Sequence, residues 1–150
     1  MTIPQAKIDR GLLSIRVRNL QRSIRVDVKQ LEKFAARAVR ASPRNRHSSD
    51  LAFDEISVLL ISDRRMAQLH RRFLNQTGPT DVITFQHGEI FISVPTARRQ
   101  ARQFGTSTVR EIQLYLVHGL LHLHGYDDRT VQQRRRIRLA EAAVLRRSGV

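Results

Sequence analysis

Cysteine is absent from the 150 residues, which excludes disulfides and any thiolate metal site. A metal held by this chain must therefore rest on histidine and carboxylates. No apolar run approaches the ~20 residues that a membrane span needs, and no partner membrane is expected. The start, Met1-Thr-Ile-Pro-Gln, lacks the basic-then-apolar pattern of a signal peptide, so a cytoplasmic protein is expected. No internal repeat or low-complexity block occurs. Lysine is scarce, at Lys7, Lys29 and Lys33 only, and acids are few: 13 Asp plus Glu stand against 27 Lys plus Arg, a net charge of +14. An Arg-rich genome explains Arg in place of Lys but not the deficit of acids. A field of that sign attracts a polyanion, and the guanidinium fork suits phosphate oxygens and stacks on bases. Ribosomal or nucleoid proteins would be served equally by such a charge.

The length suits one domain, 1–150, with a sizeable core. The least structured stretches are the first dozen residues and Ala41–Asp50, whose Ser, Pro and Asn mark a loop. Ile15 and Val17 alternate with arginines, predicting an early strand. Asp27 and Gln30 resemble a capping box ahead of a helix with Leu31, Phe34, Ala35 and Ala38 on one face. Glu55–Ile61 is β-rich and apolar, as a central strand is. Met66, Leu69 and Phe73 predict a short helix after Ser62-Asp63.

Gly78-Pro-Thr-Asp81 is a turn into a strand Val82–Phe85, and His87-Gly88 leads to a second strand, Glu89–Ser93, as in a hairpin or a tight excursion. Val94, Ala97, Ala101 and Phe104 repeat at helical spacing up to Gly105. Thr108 and Glu111 predict a capping box for a helix that is apolar nearly all round, hence buried, and stops at Gly125. A basic helix over about Thr130–Arg147 turns Val131, Ile137, Ala140 and Val144 inward. An α+β or α/β fold follows.

Two histidines interrupt the buried helix. His118 and His122 lie four residues apart, about 40° around the axis and one turn displaced, so both imidazoles can reach one ion. A hydrogen-bonded pair of core histidines fits the spacing equally well. After the Gly125 stop the chain can return a third ligand, with Asp128 and Asp127 as candidates. His124 is a weaker one, about 200° round from His122. Position 119 is Gly, where a zinc metallopeptidase carries its general-base Glu, so peptidase chemistry is disfavoured while water on a metal remains available as a nucleophile.

The segment His118-Gly-Leu-Leu-His-Leu-His-Gly-Tyr-Asp-Asp128 resembles the signature of the YbeY family of bacterial rRNA-maturation endoribonucleases, His-Gly-x-Leu-His-Leu-x-Gly-Tyr-Asp-His. Pro79-Thr-Asp-Val-Ile-Thr-Phe85 and Gly88-Glu-Ile-Phe-Ile-Ser93 are similar to that family's Pro-Thr-Asp-Val-Leu-Ser-Phe and Gly-Asp-Ile segments, in order and separation. The similarity runs from about Glu55 to Asp128. It implies a small mixed, mostly parallel sheet of about four strands packed by about five helices, with the His helix under a cleft.

It also implies a metal-dependent, single-strand-directed endoribonuclease acting in rRNA maturation, at the 3′ end of the small-subunit (16S) rRNA, and in ribosome quality control. His118, His122 and Asp128 would be both metal ligands and catalytic residues, with one Zn²⁺ or another divalent ion per chain. Partners would be ribosomal RNA and the small subunit, together with ribosomal proteins or GTPase assembly factors.

Two departures stand out. Asp128 replaces the family's third His, and Leu74 replaces an Arg that the family carries after the aromatic at Phe73. Any phosphate contact made by that Arg passes to Arg71, Arg72 or another cation, or activity is diminished; Leu74 thus leaves open a ribosome-assembly factor that binds RNA and keeps the metal for structure. Arg98, Arg99 and Arg102 join those two as expected RNA contacts; that cluster and Arg134–Arg136 with Arg138 both read most simply as solvated helix faces, with one of the two clusters expected to touch RNA phosphates. Glu111 lies seven residues before His118 on its face, and is either the helix cap or a contact to a ligand His. Thr80 and Asp81 either shape the cleft wall or only form the turn.

Overall fold

A computed structural model describes residues 14–43 and 55–150. The first dozen residues, and positions 44–50 of the expected Ala41–Asp50 loop, lie outside the described residues. The elements in order are β1 (Ser14–Asn19), α1 (Val28–Ala41), β2 (Glu55–Ile61), α2 (Asp63–Leu74), β3 (Val82–Phe85), β4 (Glu89–Ser93), α3 (Val94–Phe104), α4 (Thr108–Leu123) and α5 (Val131–Arg147).

The sheet runs β1-β2-β4-β3, with β1, β2 and β4 parallel and β3 antiparallel to β4 across the hairpin. Among the described residues, the mostly parallel four-stranded sheet and five helices match the expected α+β class. In β2 the apolar run has a simple cause. Ile56, Val58 and Leu60 face one core, with Ile90 and Ile92 of β4, α1, α4 and α5. Leu59 and Ile61 face a smaller cluster with Met66 of α2 and Ile83 of β3. A central parallel strand buried on both faces cannot alternate apolar with polar.

Side chains at the helix ends fix the boundaries. Asp27 accepts from the Gln30 amide at the start of α1, and Ser62 from the Arg65 amide at the start of α2. Thr130 and Gln133 form a reciprocal capping box on α5. Gly105 closes α3 at φ 69°, the left-handed conformation that suits glycine. The expected box on α4 sits elsewhere. Ser107 is the cap, accepting from the Arg110 amide at 3.1 Å. Glu111 instead accepts from the Thr106 hydroxyl at 2.7 Å. Two expected inward residues point out: Phe104 and Val131 are each 65% exposed, because each lies in a terminal turn that projects past the packed part of its helix.

Candidate active site

Helix α4 lies between the sheet and α5. Leu116, Leu120, Leu121 and Leu123 are fully buried, whereas the side chains of His118 and His122 keep 25% and 20% of their surface. The two rings thus stand at the edge of the core and not inside it. Gly119 lets the helix come this close to the sheet. A Cβ there would meet Ile90 Cγ2 at 2.8 Å and Thr84 Oγ1 at 3.0 Å. The position that carries a general-base Glu in metallopeptidases has no room here even for a methyl group.

The end of α4 turns the chain back towards the histidines. Gly125 adopts φ 96°, its amide donates to the His122 carbonyl, and the Tyr126 amide donates to the Leu121 carbonyl. These are the paired bonds of a Schellman ending, which needs a residue tolerant of positive φ at this position. Tyr126 packs on the main core and anchors the loop. Asp127 folds onto its own backbone, accepting from the Asp128 amide at 2.8 Å and pairing with Arg129 at 3.3 Å. His124 Nδ1 is 2.6 Å from the Leu120 carbonyl. Of the three candidates after His122, Asp128 is the one that meets the ring nitrogens.

His118 Nε2 and His122 Nε2 are 3.0 Å apart, and Asp128 Oδ2 is 3.5 Å from the first and 3.3 Å from the second. Zinc bonds of ~2.0–2.1 Å at tetrahedral angles place ligand atoms about 3.3–3.4 Å apart. The triangle fits one such ion, and these three residues are the group among the described residues able to hold one. The donor chemistry agrees. His118 Nδ1 is 2.5 Å from Glu141 Oε1 of α5. A carboxylate only accepts, so the proton lies on Nδ1 and the Nε2 lone pair faces the triangle. Two imidazole lone pairs directed at one point repel unless a cation or a proton lies between them. Burial opposes a charge on His118, but the hydrogen bond and charge of Glu141, then Asp128 and Asp81, outweigh it and raise its pKa above 6.5.

Beside the triangle opens a cleft of about 260 Å³. Tyr115 and His118 of α4, Asp81 before β3, and Arg134, Arg138 and Glu141 of α5 line it, together with Asp128. Asp81 does both things considered for it. Its Oδ1 accepts from the Val82 amide at 2.8 Å and from the Thr80 hydroxyl at 3.3 Å, and it also forms part of the cleft wall. Burial, then the charges of Glu111 and Asp81, push the Tyr115 phenol up, so it stays protonated. Arg134 donates to the carbonyls of Asp128 at 3.2 Å and Arg129 at 3.1 Å, bracing the loop that carries Asp128.

The five arginines expected to touch RNA lie elsewhere. Arg71 and Arg72 are exposed on the last turn of α2, with Arg72 5.4 Å from the Phe73 ring. Arg98 and Arg102 are exposed on α3. Arg99 pairs with Asp63 at 2.5 Å, which occupies its guanidinium. None of the five lines the cleft, and neither does the exposed Leu74. Sequence reasoning passed over Glu141. The sole acid in a helix rich in arginine, four residues after Ile137 and three before Val144 on the inner face, was its signal. Glu111, weighed for a contact to a ligand His, reaches Thr106 instead.

The sequence pattern of the family described as Endoribonuclease YbeY matches residues 16–149. A relative from Heliobacterium modesticaldum, "Endoribonuclease YbeY", is 37% identical over 117 residues, covering 64% of this chain and 70% of its own. Another of the same name from Desulforamulus reducens is 31% identical over 154 residues, covering 92% of this chain and 99% of its own. Other relatives match over 51–55% of their length. The solution structure of TM1509 from Thermotoga maritima superposes with a TM-score of 0.54 at 23% identity, over 87% of this chain and 89% of that one, a likeness of fold. With residues 16–149 matched by the family pattern and a relative 31% identical over 92% of its length, this chain belongs to the YbeY endoribonuclease family.

Proposed function

We propose that this protein is a metal-dependent endoribonuclease that cuts single-stranded RNA, with ribosomal RNA of the small subunit as its substrate in the cytoplasm. The observation that carries this reading is the His118–His122–Asp128 triangle, backed by Glu141 and opening onto a cleft with two arginines. Structural zinc sites are closed by four protein ligands, whereas hydrolytic sites keep a position open. Three ligands beside a 260 Å³ cleft are of the second kind. Family membership and the net charge of +14 favour RNA as the polyanion.

Zinc suits the nitrogen-rich set best, and when bound it polarises a phosphoryl oxygen and acidifies water towards neutrality. The chain's own groups do the rest. Glu141 fixes the tautomer and angle of His118, and Arg134 holds the Asp128 loop. Asp81 is the carboxylate left to take up a proton, in a chain whose helix has no room for the usual Glu. Tyr115, kept neutral, presents a phenol to the cleft. No helix among the described residues is long and apolar enough to cross a membrane.

The test is cleavage of single-stranded ribosomal RNA by protein stripped of metal and reloaded with zinc, beside His122→Ala. Loss of cleavage in the variant and on chelation is expected. Equal cleavage by both proteins would point to a contaminating nuclease and overturn the assignment.

A further inference from the structure

We infer that Arg138 is the residue that grips a substrate phosphate in the cleft, and that its grip depends on the divalent ion. This rests on the proposed RNA-cleaving function and adds a positioning residue to it. Along α5 the residues Arg134, Arg138 and Glu141 fall at spacings of four and three, one stripe of the helix, and all three line the cleft. The first and last already have tasks. Arg134 donates to two loop carbonyls, and Glu141 accepts from His118. Arg138, between them, has no hydrogen-bond or ion-pair partner among the described residues, although three carboxylates line the same cleft. Each of those has its own neighbours: Glu141 has His118, Asp128 faces both histidines, and Asp81 holds its own turn.

The cleft's charge makes the grip conditional. Two arginines against Asp81, Asp128 and Glu141 leave a formal charge of −1, which disfavours a phosphodiester. A divalent ion in the triangle turns this to +1, and the free guanidinium then presents a planar fork to the anion. Arg71, Arg72, Arg98, Arg99 and Arg102 lie outside the cleft. Arg71, Arg72, Arg98 and Arg102 remain available to distant phosphates, whereas Arg138 is placed for one next to the triangle.

The experiment measures binding of a fluorescent, phosphorothioate-linked single-stranded RNA hexamer to the full chain across a salt series, with and without zinc. Arg138→Gln is compared with Arg138→Lys and with Arg135→Gln, an exposed position on α5 outside the cleft. Arg138→Gln is expected to weaken zinc-dependent binding about 3–10-fold and to reduce the salt slope by about 0.7, one phosphate contact on a single strand. Arg138→Lys should retain most of the affinity. Without zinc, the difference between Arg138→Gln and wild type should largely vanish. In cleavage of unmodified RNA, Arg138→Gln should raise KM.

If Arg138→Gln binds with the affinity and salt slope of wild type, or if Arg135→Gln loses as much, the inference is wrong. If it loses as much without zinc as with it, the dependence on the ion is wrong. Failure of the wild type to cleave RNA, with the binding differences intact, would overturn the proposed function and leave the Arg138 contact standing.

Discussion

Glu141 of α5 accepts the Nδ1 proton of His118 of α4 at 2.5 Å, across 23 positions of sequence. This bond fixes which imidazole nitrogen faces Asp128 and His122, so α5 helps build a site whose three candidate ligands it does not supply. Glu141→Gln keeps a possible acceptor but removes the charge. We expect zinc affinity to fall about 10–100-fold while the far-ultraviolet circular dichroism is unchanged, since carboxylates behind ligand histidines typically matter to that extent. Chelator competition measures it, and an unchanged dissociation constant would show that the His118 orientation is held by packing alone.

Asp128 and Asp127 are adjacent in sequence, but only Asp128 faces the rings. Asp128→Ala should reduce zinc binding strongly, and Asp127→Ala should leave its stoichiometry intact, as read by metal analysis after dialysis. Asp128→His restores the residue that the family carries. A neutral ligand leaves more positive charge on the ion, so activity should rise at a lower pH in this variant than in wild type. A shift in the opposite direction would argue against Asp128 as a ligand.

Gly119 faces Ile90, which is fully buried and cannot swing away. Gly119→Ala gains helix propensity of ~1 kcal/mol, but it forces a contact of 2.8 Å. Overpacking costs ~1–3 kcal/mol, and the second effect should win, lowering thermal stability by several degrees and weakening zinc binding as α4 moves. Urea unfolding beside metal titration checks both. A more stable Gly119→Ala would mean that the sheet yields at this point.

Asp63 ties α2 to the β4–α3 junction, accepting from Ser93 at 2.7 Å, Thr96 at 2.8 Å and Arg99. Burial works to raise its pKa, but these bonds, that from Arg99 foremost, and the charge of Arg99 hold it below 3.8. A carboxylate depressed in the folded state contributes stability above its unfolded pKa. That contribution is lost as pH falls from about 4 through the folded value. Asp63→Asn should therefore cost about 1 kcal/mol at neutral pH, the pair being partly exposed. The difference from wild type should shrink towards pH 3. A constant difference between pH 7 and pH 3 in urea melts would count against this account.

A zinc ion held by the triangle would bind the folded protein in preference to the unfolded chain, so its addition should raise the melting temperature in proportion to the logarithm of free metal. The effect should be lost in His118→Ala. A melting temperature indifferent to zinc would separate the triangle from metal binding altogether.

The local pattern of the sequence determined much of this protein. The apolar runs of β2 and α4, the alternation in β1, the glycine ends of α3 and α4 and the four-residue spacing of His118 and His122 are consequences of period and turn chemistry within short windows. The tertiary structure decided what those windows leave open. Helical spacing allowed His118 and His122 to be ligands or a core pair, and the Gly125 turn allowed either aspartate to return. Only the paired backbone bonds after Leu121, and the packing of Tyr126, direct Asp128 at the rings. Gly119 looked like a missing base until the sheet was in place, because its cause is a contact with Ile90, 29 residues away in sequence. The positive charge was plain from composition, but which arginine is free and where was not. Arg99 is taken by Asp63 and Arg134 by the Asp128 loop, through contacts made only once helices and loops have packed. Charge is a property of the chain, whereas the partner of each charge is a property of the fold.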